Sequence, residues 1–145
     1  MLNNNYLQQA VESIPGTTRY YGEGKRRLEQ VRYSWEQLKK DTGYGTDDIN
    51  ARILDFGIPD YFPSHSPYIV PEPMTLEPCE SYSKEDLDEY IAVLREAARE
   101  AYEEPKLYAQ QPPFNTSSHA AVPVSGPAAN ATTWRIYKKY QADIK

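Results

Sequence analysis

The sequence predicts an α+β domain, a two-layer sandwich in which a small antiparallel sheet carries helices on one face. Three observations predict it. Segments with helical period alternate with short β-prone runs. The links between neighbouring runs are short and turn-rich, which suits antiparallel partners. Finally, 13 Tyr, 3 Phe and 2 Trp give a 145-residue chain with 39% hydrophobic residues enough bulky side chains for a core.

Asn5 to Ile14 reads as an amphipathic helix, with Tyr6/Leu7, Ala10/Val11 and Ile14 at helical spacing and Pro15-Gly16 as its stop. Thr17 to Tyr21 is β-prone, and Gly22-Glu23-Gly24 is a turn. Val31, Tyr33 and Trp35 alternate with Arg32, Ser34 and Glu36, the period of a half-buried strand. A helix over Glu29–Lys40 competes, because Leu28, Val31 and Trp35 also fit helical spacing. Gly43-Tyr44-Gly45 is a loop. A helix then starts on Thr46 as N-cap, with Asp47 and Asp48 complementing its dipole, Ile49, Ile53 and Phe56 as its stripe and Gly57 at its end.

Six prolines between Ile58 and Pro78 make the next stretch an edge, a bulge or a wandering extended segment, with Tyr68-Ile69-Val70 and Met74-Thr75-Leu76 as strand pieces. The longest helix follows. Ser83 caps it, Asp86 stands where a capping box needs an acceptor, and Leu87, Tyr90/Ile91, Leu94, Ala97/Ala98 and Ala101 form its stripe. Pro105 ends it. These limits predict an α+β unit over 1–104, a Pro/Ala-rich extended segment over 105–133 and a short amphipathic segment over 134–145. The whole stretch Pro105 to Lys145, with its aromatic cluster at Trp134, Tyr137 and Tyr140, is expected to be held by a surface outside itself, either residues 1–104 or a second chain.

The net charge of −5 argues against a nucleic-acid partner. It comes from residues 83–104, where three basic side chains meet eight acidic ones. A solvated helix face accounts for that run, and nothing supports an acidic docking surface. The basic stretch around Lys25, Arg26 and Arg27 reads as edge protection, since Gly22-Glu23-Gly24 is too short to cradle phosphate. A mean hydropathy of −0.78 and the lack of a long apolar run predict no membrane span. The opening Met1-Leu2-Asn3-Asn4-Asn5 has no secretory-signal pattern, and the single cysteine excludes a disulfide framework within the chain. Together these predict a cytoplasmic location.

Chemistry has few candidates. Cys79 with His65 or His119 is the conceivable nucleophile–base pair, but the flanking Glu80 is expected to raise the thiol pKa, and an ordinary small side chain is the simpler reading. Glu77 and Glu80 resemble paired carboxylates, yet both precede a helix start, where acidic residues serve the dipole. His65 and His119 lie on polar stretches, far apart in sequence, without metal-ligand spacing. His65, Glu77 and His119 are therefore candidate pocket-lining residues, and no catalytic, cofactor-binding or metal-binding residue is assigned.

The runs Ile69-Val70-Pro71-Glu72 and Leu76-Glu77-Pro78-Cys79-Glu80-Ser81-Tyr82-Ser83-Lys84-Glu85-Asp86-Leu87-Asp88 carry a resemblance. They are similar to the C-terminal part of glycine dehydrogenase (aminomethyl-transferring), the P-protein family of the glycine cleavage system, and most to subunit 2 of its two-subunit form. Asn4-Asn5-Tyr6-Leu7, Val31–Trp35, Thr46-Asp47-Asp48-Ile49, Asp55-Phe56-Gly57 and Pro113-Phe114-Asn115-Thr116 agree, so the resemblance spans roughly residues 3–119. Cys79 stands where the family has Thr, and Phe114 where it often has His.

The resemblance implies the small C-terminal domain of a fold-type I pyridoxal-phosphate (PLP) enzyme that decarboxylates glycine. The family's Schiff-base lysine lies in a Gly-rich context of the large domain, and no lysine of this chain has that context. The cofactor is thus expected in the complete enzyme and not on this chain alone. The implied partners are the lysine-bearing large domain or subunit and a lipoyl-carrying H-protein, with homo-oligomerisation left open. The chain reads as a fragment or separately encoded part of such an enzyme; the alternative is a non-catalytic interaction module or remnant of the family.

Overall fold

The computed structural model describes residues 1–20, 28, 30–58, 69–110, 112 and 114. Its elements run α1 (Leu2–Val11), β1 (Val31–Ser34), α2 (Glu36–Thr42), α3 (Thr46–Leu54), β2 (Pro73–Leu76), α4 (Lys84–Glu103) and α5 (Pro105–Ala109). The architecture is α+β, with a small antiparallel sheet and several helices. The readings for Tyr21 and the 22–24 turn, for Tyr68, for His65 and His119, and for the aromatic cluster at 134–140 lie outside the described residues.

Helix α4 is the central strut, and α1, α2, α3 and α5 all pack against it. Its buried residues are Leu87, Ile91, Leu94, Ala97, Ala98, Glu100 and Ala101, which is the expected apolar stripe with one carboxylate added. Three of these positions in its C-terminal half, Ala97, Ala98 and Ala101, are alanine, whose small side chains leave room for neighbouring elements. Ser83 caps it as expected: the Asp86 N–H donates to Ser83 Oγ (3.1 Å), and the Ser83 N–H donates to Asp86 Oδ2 (2.8 Å). Replacing Ser83 by alanine should therefore lower the stability by about 1 kcal/mol, read from a urea midpoint at constant slope. An unchanged midpoint would mean that the reciprocal cap contributes nothing.

Among the described residues the sheet is two-stranded. In it β1 pairs antiparallel with β2 in the register Val31–Leu76, Arg32–Thr75, Tyr33–Met74 and Ser34–Pro73. Thr18 joins only through one bridge to Ser34, with N–H to O distances of 2.8 and 2.9 Å. Ile69 and Val70 form bends and not a strand. Pro73 opens β2, a position where its missing N–H is tolerated. The alternation expected for β1 breaks at Ser34, which is fully buried. Its hydroxyl donates to Pro71 O (2.6 Å) and accepts from the Glu36 N–H (2.9 Å). A polar residue is thus held inside by satisfying both of its bonding roles.

The competition between strand and helix over 29–40 resolves as one followed by the other, with Trp35 at the corner. The Trp35 N–H donates to Glu72 O (2.9 Å), and its fully buried ring meets Tyr33 edge-to-face at 5.5 Å. Helix α1 lies earlier than expected, over 2–11, because its inner face is Asn4, Leu7, Gln8 and Val11. Ile14 is still buried, in the turn that follows. Gly16 has φ +89°, and a Cβ there would come within 2.8 Å of Leu38 Cβ, so both its conformation and its neighbour require glycine.

Helix α3 begins one residue earlier than the expected cap implies. Gly45 is the N-cap, and its N–H donates to Asp48 Oδ2 (2.8 Å), while the Thr46 N–H donates to Glu72 Oε2 (2.7 Å). A carboxylate 26 residues away thus satisfies a free helix donor. Glu72 itself adopts φ +46°, the one non-glycine residue with positive φ among those described. A side chain at position 45 would collide with that carboxylate. Gly45→Ala should displace Glu72 and cost about 0.5–2 kcal/mol, the scale of a lost cap. The double variant with Glu72→Ala should cost less than the sum of the singles, and additive losses would show that the two do not act together.

Pro105 stops α4 but also starts α5 as its first residue, so the stretch expected to be extended opens with a helix. The reason is the proline's fixed φ, which suits a helix start, together with Tyr108. That ring is buried, its hydroxyl donates to Ala97 O (2.7 Å), and it lies 5.0 Å from the Tyr44 ring.

Candidate functional site

An open cleft of about 800 Å³ lies between the first turn of α1 and the chain that leaves β2. Met1, Leu2, Asn3, Leu28, Gln30, Glu77, Pro78, Cys79 and Glu80 line it. Of the three expected pocket-lining residues, the structure places Glu77 there, while His65 and His119 lie outside the described residues.

Local chemistry holds the walls in place. Asn3 Nδ2 donates to Cys79 O (2.9 Å) and to Tyr82 O (3.0 Å), so one amide pins the 79–82 turn onto the first turn of α1. Gln30 Nε2 donates to Glu77 Oε1 (2.6 Å), which joins the approach to β1 to the exit from β2. Glu77 and Glu80 share this wall, and neither belongs to the first turn of α4, whose acidic residues are Glu85 and Asp86. Asn3 and Gln30 gave no signal in the sequence, because a single amide is recognisable as a clamp only when its distant carbonyl partner is known.

Cys79 corrects an expectation. Its thiol is exposed and its pKa is lowered rather than raised. The hydrogen bond from Ser81 is the main cause, at an Sγ–Oγ distance of 2.7 Å, and it outweighs the opposing charge of Glu80. A hydroxyl donor aimed at the sulfur stabilises the thiolate directly, whereas a neighbouring exposed carboxylate acts through water. Ser81→Ala should accordingly move the pH profile of Cys79 alkylation upward. A profile unchanged or moved downward would show that the hydroxyl does not support the thiolate.

A second cluster joins α3 to α4. The Arg52 guanidinium is buried and forked onto Glu100, Nε to Oε2 at 2.6 Å and Nη2 to Oε1 at 2.8 Å, with Nη1 on Asp55 Oδ2 at 2.9 Å. Glu100 first, and Asp55 with it, hold the guanidinium well above its usual pKa. Its carbon lies 4.6 Å from the Phe56 ring and 5.9 Å from the Phe114 ring, and the Phe114 N–H donates to Asp55 Oδ1 (2.6 Å). Asp55 and Phe56 on one side and Phe114, distant in sequence, therefore meet at one ion pair.

The described lysines do not suit a Schiff base. Such a lysine needs a neutral amine in a sheltered place. Lys39, Lys40, Lys84 and Lys106 are all exposed, the first three beside Asp48, Glu36 and Asp88, and Asp88 pushes the Lys84 ammonium up to about 12. The cleft's two carboxylates do not suit a phosphate either. Among the described residues no group of three or more His, Cys, Asp or Glu is placed to hold a metal ion, and no helix is long and apolar enough to cross a membrane.

Residues 1–119 match the family described as glycine dehydrogenase, C-terminal domain. The chain is 38% identical over 141 residues to the probable glycine dehydrogenase (decarboxylating) subunit 2 of Pyrococcus furiosus, covering 96% of this chain and 27% of that one. The protein of the same name from Pyrococcus horikoshii is 37% identical with the same coverage. That of Staphylothermus marinus is 35% identical over 140 residues, covering 94% of this chain and 26% of that one. The chain thus spans about a quarter of the length of these relatives. No solved structure gives a significant match.

Proposed function

Because the chain belongs to the glycine dehydrogenase C-terminal domain family, we propose that it serves as the small domain of a glycine-decarboxylating enzyme of the glycine cleavage system. The match over residues 1–119 carries this reading. In it, the pyridoxal phosphate and its lysine belong to a large domain or subunit, and a lipoyl-carrying H-protein takes up the product fragment. The residues described here do not fit the cofactor, so no chemical step is assigned to them. Their part is to shape a wall: Asn3 and Gln30 hold the Glu77–Glu80 turn in place beside the cleft. A two-layer packing like that of fold-type I small domains belongs to the same reading.

Co-expression tests it. This chain, produced with the lysine-bearing part of a relative such as the Pyrococcus furiosus subunit and supplied with a lipoyl-carrying H-protein, should support glycine–bicarbonate exchange that neither component supports alone with the same H-protein. Exchange that is equally fast without this chain, or a complex with no exchange, would defeat the proposal.

A further inference from the structure

We propose that the cleft between α1 and the 77–80 turn is the seat of the domain that the longer relatives carry ahead of the matched region; this rests on the reading above. Among the described residues the most exposed large apolar side chains are Met1 (72%), Leu2 (79%), Leu28 (74%) and Ile69 (99%). Three of these four line this one cleft. Five of the six exposed aromatics among the described residues are engaged: Tyr6, Tyr20 and Tyr102 bond through their hydroxyls to Asp88, Glu36 and Asp41, and Phe56 and Phe114 lie against Arg52, while Tyr82 stands in the 79–82 turn that Asn3 pins beside the cleft. Met1, Leu2 and Leu28 have no such use, and apolar side chains gathered at a rim mark a contact surface.

The occupant follows from where the rest of the family's chain lies. The matched region is a C-terminal domain and covers about a quarter of the relatives. Most of their length therefore precedes the position of Met1, and Met1, Leu2 and Asn3 are themselves cleft wall. A domain entering there meets this rim first. The side chains lining the cleft bring two carboxylates, Glu77 and Glu80, and no cation. The matching surface would be an apolar patch flanked by basic or amide donors, as in a polar-rimmed interface. The wall is already formed, because Asn3 fixes it to the carbonyls of Cys79 and Tyr82, so little ordering accompanies docking.

Cys79 is the chain's single cysteine and lies in this cleft, so its alkylation reports occupancy. In the co-expressed complex, N-ethylmaleimide should modify Cys79 at least tenfold more slowly than in the isolated chain. Leu2→Asp should weaken the complex tenfold or more and leave the melting of the isolated chain unchanged, since an acidic residue suits the first turn of α1. Ile69→Asp, an equally drastic change away from the cleft, should leave the affinity as it was. A complex in which Cys79 stays fully reactive, or which Leu2→Asp does not weaken, overturns this assignment while leaving the proposed function intact. Absence of any complex overturns the function reading as well. Concentration-dependent protection of Cys79 in the isolated chain would instead make a second copy the occupant, and would also overturn the proposal.

Discussion

Replacing Glu100 by alanine should destabilise the domain by about 3–5 kcal/mol, the cost of leaving a buried charge without its partner. Arg52 and Glu100 are 8% and 6% exposed, and two hydrogen bonds of 2.6 and 2.8 Å join them. Asp55 still takes one nitrogen of the guanidinium, which keeps the loss from growing larger. The effect should change little between low and high salt, because the pair is shielded from counter-ions. The exposed cluster of Arg99 with Glu96, Glu103 and Glu104 should behave in the opposite way. The paired variant Arg52→Met with Glu100→Leu should recover only part of the loss, since the Asp55 carboxylate, 1% exposed in its side chain, then stays inside without the guanidinium. Urea denaturation of the single and paired variants is the measurement. A single-variant loss under about 1 kcal/mol, the range of surface ion pairs, would mean that Arg52 is not the enclosed charge described here.

That pair also shows what the sequence makes legible. The extent of helix α4 is readable because its cap, its apolar stripe and its stop are all local signals: a serine, an acidic residue three places on, apolar side chains at helical spacing, and a proline. Glu100 looked like one more solvated acid in a negatively charged run. Its burial depends on an arginine 48 residues away on α3. Helix α2 was half legible, since its seven residues bury only Leu38 and leave no periodic stripe. Ser34 on the inner face, Glu72 as the distant cap of α3 and the early start of α1 on Asn4 share one cause. Each is a polar residue buried or engaged through partners elsewhere in the chain, and apolar periodicity carries no record of them.

The cleft divides in the same way. Glu77 is visible in the sequence as a carboxylate of the 76–88 run, and the structure sets it in the wall beside the cleft. Asn3 and Gln30, which position that wall, could not be suspected. The Cys79 thiol runs opposite to its sequence expectation because the charge on the next residue is visible in sequence, whereas the orientation of the Ser81 hydroxyl is not.

The second large effect is expected at Leu94. It is fully buried in the same core as Val11, Leu38, Ile49, Ile53 and Ala98. It sits mid-way along α4, the helix against which α1, α2, α3 and α5 pack. Leu94→Ala removes a branched side chain from a point where several rigid elements converge, so the surroundings can collapse only in part. The expected loss is about 2–5 kcal/mol, combining the lost transfer energy with the cavity that remains. Helix propensity does not confound the result, because alanine is the better helix former and would act the other way. Leu94→Met, which keeps most of the volume, should cost less than about 1.5 kcal/mol. The pair separates packing from burial: equal losses for both would show that the shape of Leu94, not its volume, matters at this site. A Leu94→Ala loss below about 0.5 kcal/mol, the scale of a surface change, would show that the stripe of α4 does not form the centre of this core.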